Sequence, residues 1–155
     1  MNFLTKALFA ATLALGAPGL AAAQACPSYE NPGATLEYSA EDVWVPQSST
    51  VIAGGDLVLA DCPSVPGVGH IISSPDFSLI YDGLGMGRAL EFRVTGDCDT
   101  VLLVNTANAE WLFNDDDAQM HPRLRVEGAP DGRYDIWVGT FDATTCAATL
   151  TIESF

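Results

Sequence analysis

Cationic side chains are scarce in this chain: the 155 residues hold one lysine, Lys6, and five arginines against 20 acidic residues. That deficit excludes a nucleic-acid or anionic-membrane surface, both of which need clustered positive charge. Helical periodicity is missing too. Beyond the first 25 residues no window of helical length keeps apolar residues at i, i+3, i+4 and i+7, so the chain is not a helical bundle. No cysteine belongs to a C-x-x-C pair, which speaks against a zinc ribbon or a thioredoxin-type site. Only two histidines, His70 and His121, could serve as bases, and no serine has a G-x-S-x-G surround. Nor do the two histidines stand in an H-x-x-x-H or H-E-x-x-H spacing. Both read as loop residues, given Pro75, Pro122 and the nearby glycines.

What is present begins with an export signal. Met1 to Lys6 is a short basic start, Ala7 to Ala22 is apolar, and small residues close the run at Ala21-Ala22-Ala23 or Ala23-Gln24-Ala25. Gly16, Pro18 and Gly19 break it, which suits a cleaved signal peptide over residues 1–25 better than a spanning helix. Cys26, just after the cleavage region, raises the alternative of a lipid-bearing first residue, although the leucine usual three positions earlier is absent. Removing the signal takes Lys6 with it and leaves five arginines against 20 acidic residues, a net charge of −15. The expected location is periplasmic or secreted, with no membrane contact after cleavage.

Four cysteines lie beyond the signal, and an even count in an exported chain reads as two disulfides. Of the three pairings, Cys98–Cys146 with Cys26–Cys62 is favoured, because Cys98 and Cys146 each open a strand and would tie neighbouring strands at one end of a sheet. Strand signals recur every eight to twelve residues. Phe77, Leu79 and Tyr81 share one face; so do Leu90, Phe92 and Val94, with Glu91 and Arg93 outward. Tyr134, Ile136 and Val138, then Ala148, Leu150 and Ile152, complete the inward sets. Cys98 to Val104 and Glu110 to Asp117 read as a hairpin ending in acid. Earlier in the chain, Thr35 to Tyr38 and Val43 to Val45 read as short extended pieces, and Gly54-Gly55 between two β-prone runs reads as a hairpin turn. The fold class is all-β: an antiparallel β-sandwich, jelly-roll-like, with extra N-terminal strands. Residues 26–74 form the N-terminal strand extension and 75–155 the sandwich, as one compact unit.

The most chemical-looking stretch is Asn114-Asp115-Asp116-Asp117, whose clustered hard oxygens suit calcium. It lacks the glycine and distal glutamate of an EF-hand, and Asn and Asp also build turns by bonding backbone amides. Asp97, Asp99 and Asp142 would complete a cation site only where the loops converge. No cofactor is required; calcium is the one candidate. Trp111 shares a strand face with Phe113, and Trp137 lies opposite the Tyr134, Ile136 and Val138 face, so Trp111 and Trp137 are candidate platforms for stacking a carbohydrate or protein ligand, unless they pack beneath the N-terminal strands.

Four pieces in order, Asp99-Thr100-x-Leu102, Asn114-Asp115-Asp116, Pro122-Arg123-Leu124 and Gly132-Arg133-Tyr134-x-Ile136-x-Val138-Gly139, resemble the bacterial pre-peptidase C-terminal domain from about Phe77 to Ile152. The resemblance implies a β-sandwich that accompanies exported proteases without being catalytic. The expected function is therefore a non-catalytic exported binding or accessory module. A secreted hydrolase, a peptidase by family association, and a calcium-stabilised structural domain are the alternatives.

Overall fold

The computed structural model describes residues 26–117 and 120–155, so the signal-peptide expectation lies outside the described residues. Eleven strands run in order: β1 (Ala34–Ser39), β2 (Gln47–Ala53), β3 (Leu57–Val58), β4 (His70–Ile71), β5 (Phe77–Asp82), β6 (Leu90–Gly96), β7 (Thr100–Asn105), β8 (Trp111–Asn114), β9 (Arg123–Val126), β10 (Gly132–Thr140) and β11 (Cys146–Ser154). They form two facing sheets. In the first, β10 is central: β5 and then β4 follow one another along one edge, and β7 takes the other. Outside these lie β1 on β5, β3 on β4 and β8 on β7. The second sheet has the order β2-β11-β6-β9.

The period-2 alternation places the core as the sequence predicts. Leu79, Tyr134, Ile136, Leu102 and Val104 from the first sheet meet Leu90, Phe92, Val94, Leu150 and Ile152 from the second. Tyr81, Phe92 and Tyr134 interlock, with Tyr81 edge-on to Tyr134. Glu91 points outward as predicted, yet it is only 4% exposed, because Arg93 and Arg125 close over its carboxylate. Among the described residues no helix is long and apolar enough to cross a membrane.

Four local expectations are corrected. β1 pairs with β5 in parallel, so the sandwich is not wholly antiparallel. Asp42–Trp44 is a 3-10 turn rather than a strand, because the Asp42 carboxylate accepts from both the Ser39 amide and its hydroxyl and winds the chain back on itself. Gly54-Gly55 is no hairpin turn: β2 pairs with β11 and β3 with β4, so the glycines carry the chain from one sheet to the other. A Cβ on Gly55 would lie 2.2 Å from the Ile71 backbone, and Gly54 holds φ +102°. Finally, Cys98–Cys146 and Cys26–Cys62 are the disulfides, but Cys98 sits on the connection between sheets, after β6 and before β7, rather than opening a strand beside β11. With its sulfur so bonded, Cys26 cannot also carry a thioether-linked lipid in this state.

One seam in the first sheet is closed by a side chain. Between the end of β4 and the start of β5, the Val138 amide donates to the Asp76 carboxylate at 2.7 Å, and the Val138 carbonyl accepts from the Gly54 amide at 3.1 Å. Burial pushes the Asp76 carboxyl up to about 6, against the opposing pull of the Val138 amide.

Candidate functional site

The outer face of the first sheet carries a second apolar cluster. Val101 and Leu103 of β7 and Trp137 of β10 alternate with the core residues, and the segment holding Leu59, Cys62 and Val65 closes over them. Trp137 is thereby fully buried, with no partner for its indole N–H, and it is not available to stack on a ligand. Of the two readings of Trp137, the structure takes packing beneath the N-terminal segment over a stacking platform: that segment occupies the face it points to. Trp111 lies against Trp137 with ring centroids 5.3 Å apart, and Tyr29 lies against Trp111 at 6.2 Å. The three rings form a stair from the interior to solvent, with Tyr29, 45% exposed, outermost and Trp111 half-buried. Phe113 flanks the stair beneath Gly67, where a Cβ would meet its ring at 2.3 Å.

The arm that bears Tyr29 is held by chemistry of three kinds. Cys26 is bonded to Cys62, and the Ser28 amide donates to the Ser73 carbonyl. Beneath the arm, the buried Asp135 carboxylate accepts from Arg133 Nε at 2.8 Å and from the Ser78 hydroxyl, which in turn accepts from the Gly33 amide at 3.1 Å. The Arg133 guanidinium also donates to the Tyr29 carbonyl. A buried carboxylate paired and hydrogen-bonded in this way avoids the cost of an isolated charge. Tyr29 was not singled out from sequence, because it stands in a turn without periodicity.

The acidic stretch occupies one end of the sandwich. Asn114 Oδ1 accepts from the Arg123 amide at 3.0 Å, Asp115 Oδ1 accepts from the Asp116 amide at 2.9 Å, and Asp117 pairs with Arg123 at 2.7 Å. Asn114 and Asp117 are thus engaged in holding β8 to β9. Desolvation, followed by the negative charges of Asp116, Asp142 and Asp115, raises the Asp99 carboxyl above the usual range, while His121 opposes the rise. Asp99 thus feels the charge of the turn and of Asp142; Asp97 instead lines an open hollow beside Ile52. Among the described residues no three His, Cys, Asp or Glu gather at metal-holding spacing.

His70 lies on β4 opposite Thr140, and His121 lies beside the acidic turn with Nδ1 buried and unpartnered. Among the described residues neither imidazole is hydrogen-bonded to a serine hydroxyl or a carboxylate.

In comparisons with known proteins, no family model and no curated protein matches the chain. A solved structure of the pre-peptidase C-terminal domain of collagenase from Bacillus anthracis is similar, at 8% sequence identity and a TM-score of 0.45, over 80% of this chain and 99% of that one. It is a domain of the family that the four sequence motifs resemble.

Proposed function

We propose that the chain is a non-catalytic exported module that holds a ligand against the Tyr29–Trp111 step. The supporting observation is the stair itself: two partly exposed rings tilted against a buried third, on an arm fixed by a disulfide and a half-buried ion pair. Pre-organised aromatic faces beside backbone polar groups suit a sugar ring or an apolar peptide side chain, since little ordering cost remains at binding. Titrating the mature protein with soluble polysaccharides and with peptides, read by tryptophan fluorescence, tests the reading. A saturable change lost in a folded Tyr29→Ala/Trp111→Ala variant is expected; binding unaffected by that variant would overturn it. Cleavage of a mixed protein substrate, abolished by His70→Ala or His121→Ala, would replace it with the hydrolase reading.

A second reading, a calcium-stabilised end, has behind it the negative charge that Asp116, Asp142 and Asp115 bring to bear on Asp99. Calcium would then raise the thermal midpoint, and chelation would lower it. A midpoint indifferent to both ends that reading.

A further inference from the structure

β2 is an edge strand unlike the others. It pairs with β11 along one side, and along the other its backbone bonds to no described residue. Free edges normally carry charge or proline, or are very short, because open N–H and C=O groups recruit further strands. The remaining edges are charged or shorter: β9 carries Arg123 and Arg125, β1 carries Glu37, β3 has two residues, and β8, though uncharged, has four. β2 runs for seven residues, Gln47-Ser48-Ser49-Thr50-Val51-Ile52-Ala53, with neither charge nor proline. Its solvent face exposes Ser48, Thr50 and Ile52, and Ile52 is 64% exposed. Beside it Thr50, Thr149 and Thr95 stand in one cross-strand row, on the floor of an open hollow of ≈ 630 Å³.

Charge is confined to the ends of this strand. Before it stand Glu41 and Asp42, with Glu37 and Asp82 lining the same depression as Asp42; after it stands Asp56, and Asp97 borders the hollow next to Ile52. Antiparallel pairing of two copies through β2 would bring the Asp42 end of one toward the Asp97 end of the other, acid facing acid. A segment with an uncharged centre and basic flanks meets both ends favourably, in a molecule whose overall field attracts cations.

We propose that β2 is a strand-addition site, taking an extended peptide segment of another protein whose neutral, β-prone centre is flanked by lysine or arginine. Main-chain bonds to the open edge would supply the affinity, and the acidic ends the choice of partner and register. The inference goes beyond the aromatic step and stands or falls separately from it.

The probe is a synthetic peptide of seven alternating threonine and valine residues between lysine pairs, with a glutamate-flanked version as control. On the mature protein, the lysine-flanked peptide is expected to slow amide exchange within Gln47–Ala53, and the control to bind at least tenfold more weakly. Thr50→Lys/Ile52→Lys should weaken binding at least tenfold, with Ser48→Lys as the substitute where the double variant does not fold. Tyr29→Ala/Trp111→Ala should leave peptide binding unchanged. No slowing of exchange in Gln47–Ala53 at millimolar peptide, or equal binding by a folded lysine variant, would overturn the proposal. So would a concentration-dependent dimer that the lysine variant abolishes, since the occupant would then be a second copy.

Discussion

The two outer faces of the sandwich have opposite fates. On the first sheet the outward residues of β7 and β10 are Val101, Leu103 and Trp137, and a loop segment with its own disulfide covers them. On the second, the outward residues of β11 and β6 are Thr149, Thr151, Glu153, Glu91, Arg93 and Thr95, where Arg93 bridges Glu91 and Glu153 and no loop segment forms an apolar cover. A sheet whose strands read as unbroken apolar runs is buried on both faces; one that alternates is buried on one. The covered face stabilises the molecule, and the bare one leaves its edge free for other uses.

The comparison breaks most sharply at Trp137. Replacing it with alanine removes the centre of the covered face and should cost about 3–5 kcal/mol in urea unfolding, as for other large buried aromatics. Opening the Cys26–Cys62 bridge as a double serine variant should cost about 2–4 kcal/mol by the chain-entropy estimate, and should raise the exposure of Trp111 to fluorescence quenchers. Asp76→Asn tests the seam in the same sheet. Because the folded Asp76 carboxyl is raised to about 6 from 3.8, the native state holds its proton between those values while the unfolded state has lost it. The stability this group contributes is therefore full below 3.8 and lost as pH rises through 6. The asparagine variant, which keeps an acceptor for the Val138 amide, should match the parent at pH 3.5 and exceed it by about 2 kcal/mol at pH 7.5, in paired denaturant titrations. Least affected is Thr149→Ala on the bare face, expected within about 0.5 kcal/mol. A larger loss there would mean that the second sheet is covered too.

The alternation of Phe77 to Tyr81, Leu90 to Val94 and Tyr134 to Val138 was legible because inward and outward positions differ by a single residue step, a purely local signal. The disulfides were legible too, as pairs, though not as ties across the sheets. Parallel pairing of β1 with β5 was not, since Ala34 and Phe77 meet at a sequence separation of 43 with no tight turn joining the two strands to announce it. Gly54-Gly55 misled for a definite reason: a glycine pair marks a tight turn and a close backbone approach equally well, and here Ile71 supplies the approach. Trp137 could be placed on the outward side of its strand, but the cover comes from Leu59 to Val65, whose prolines and glycines give only a loop signal. For the same reason Tyr29 was invisible. The acidic stretch was legible as chemistry, whereas the engagement of Asn114 and Asp117 with Arg123 depends on how β8 faces β9.

The last two strands are the ones that join everything else. Among the described residues β10 is the one strand joining the β1–β5 pair, the β3–β4 pair and the β7–β8 hairpin, and β11 the one strand joining β2 to the β6–β9 pair. Until residue 132 has been added to the growing chain, five fragments of sheet exist with no strand to hold them in register. Folding must therefore wait for the carboxyl end, and the many long-range pairings make that late step slow. A polypeptide built on this plan has no complete sandwich until its last two strands are in place, so the carboxyl end acts as the clasp that shuts the molecule.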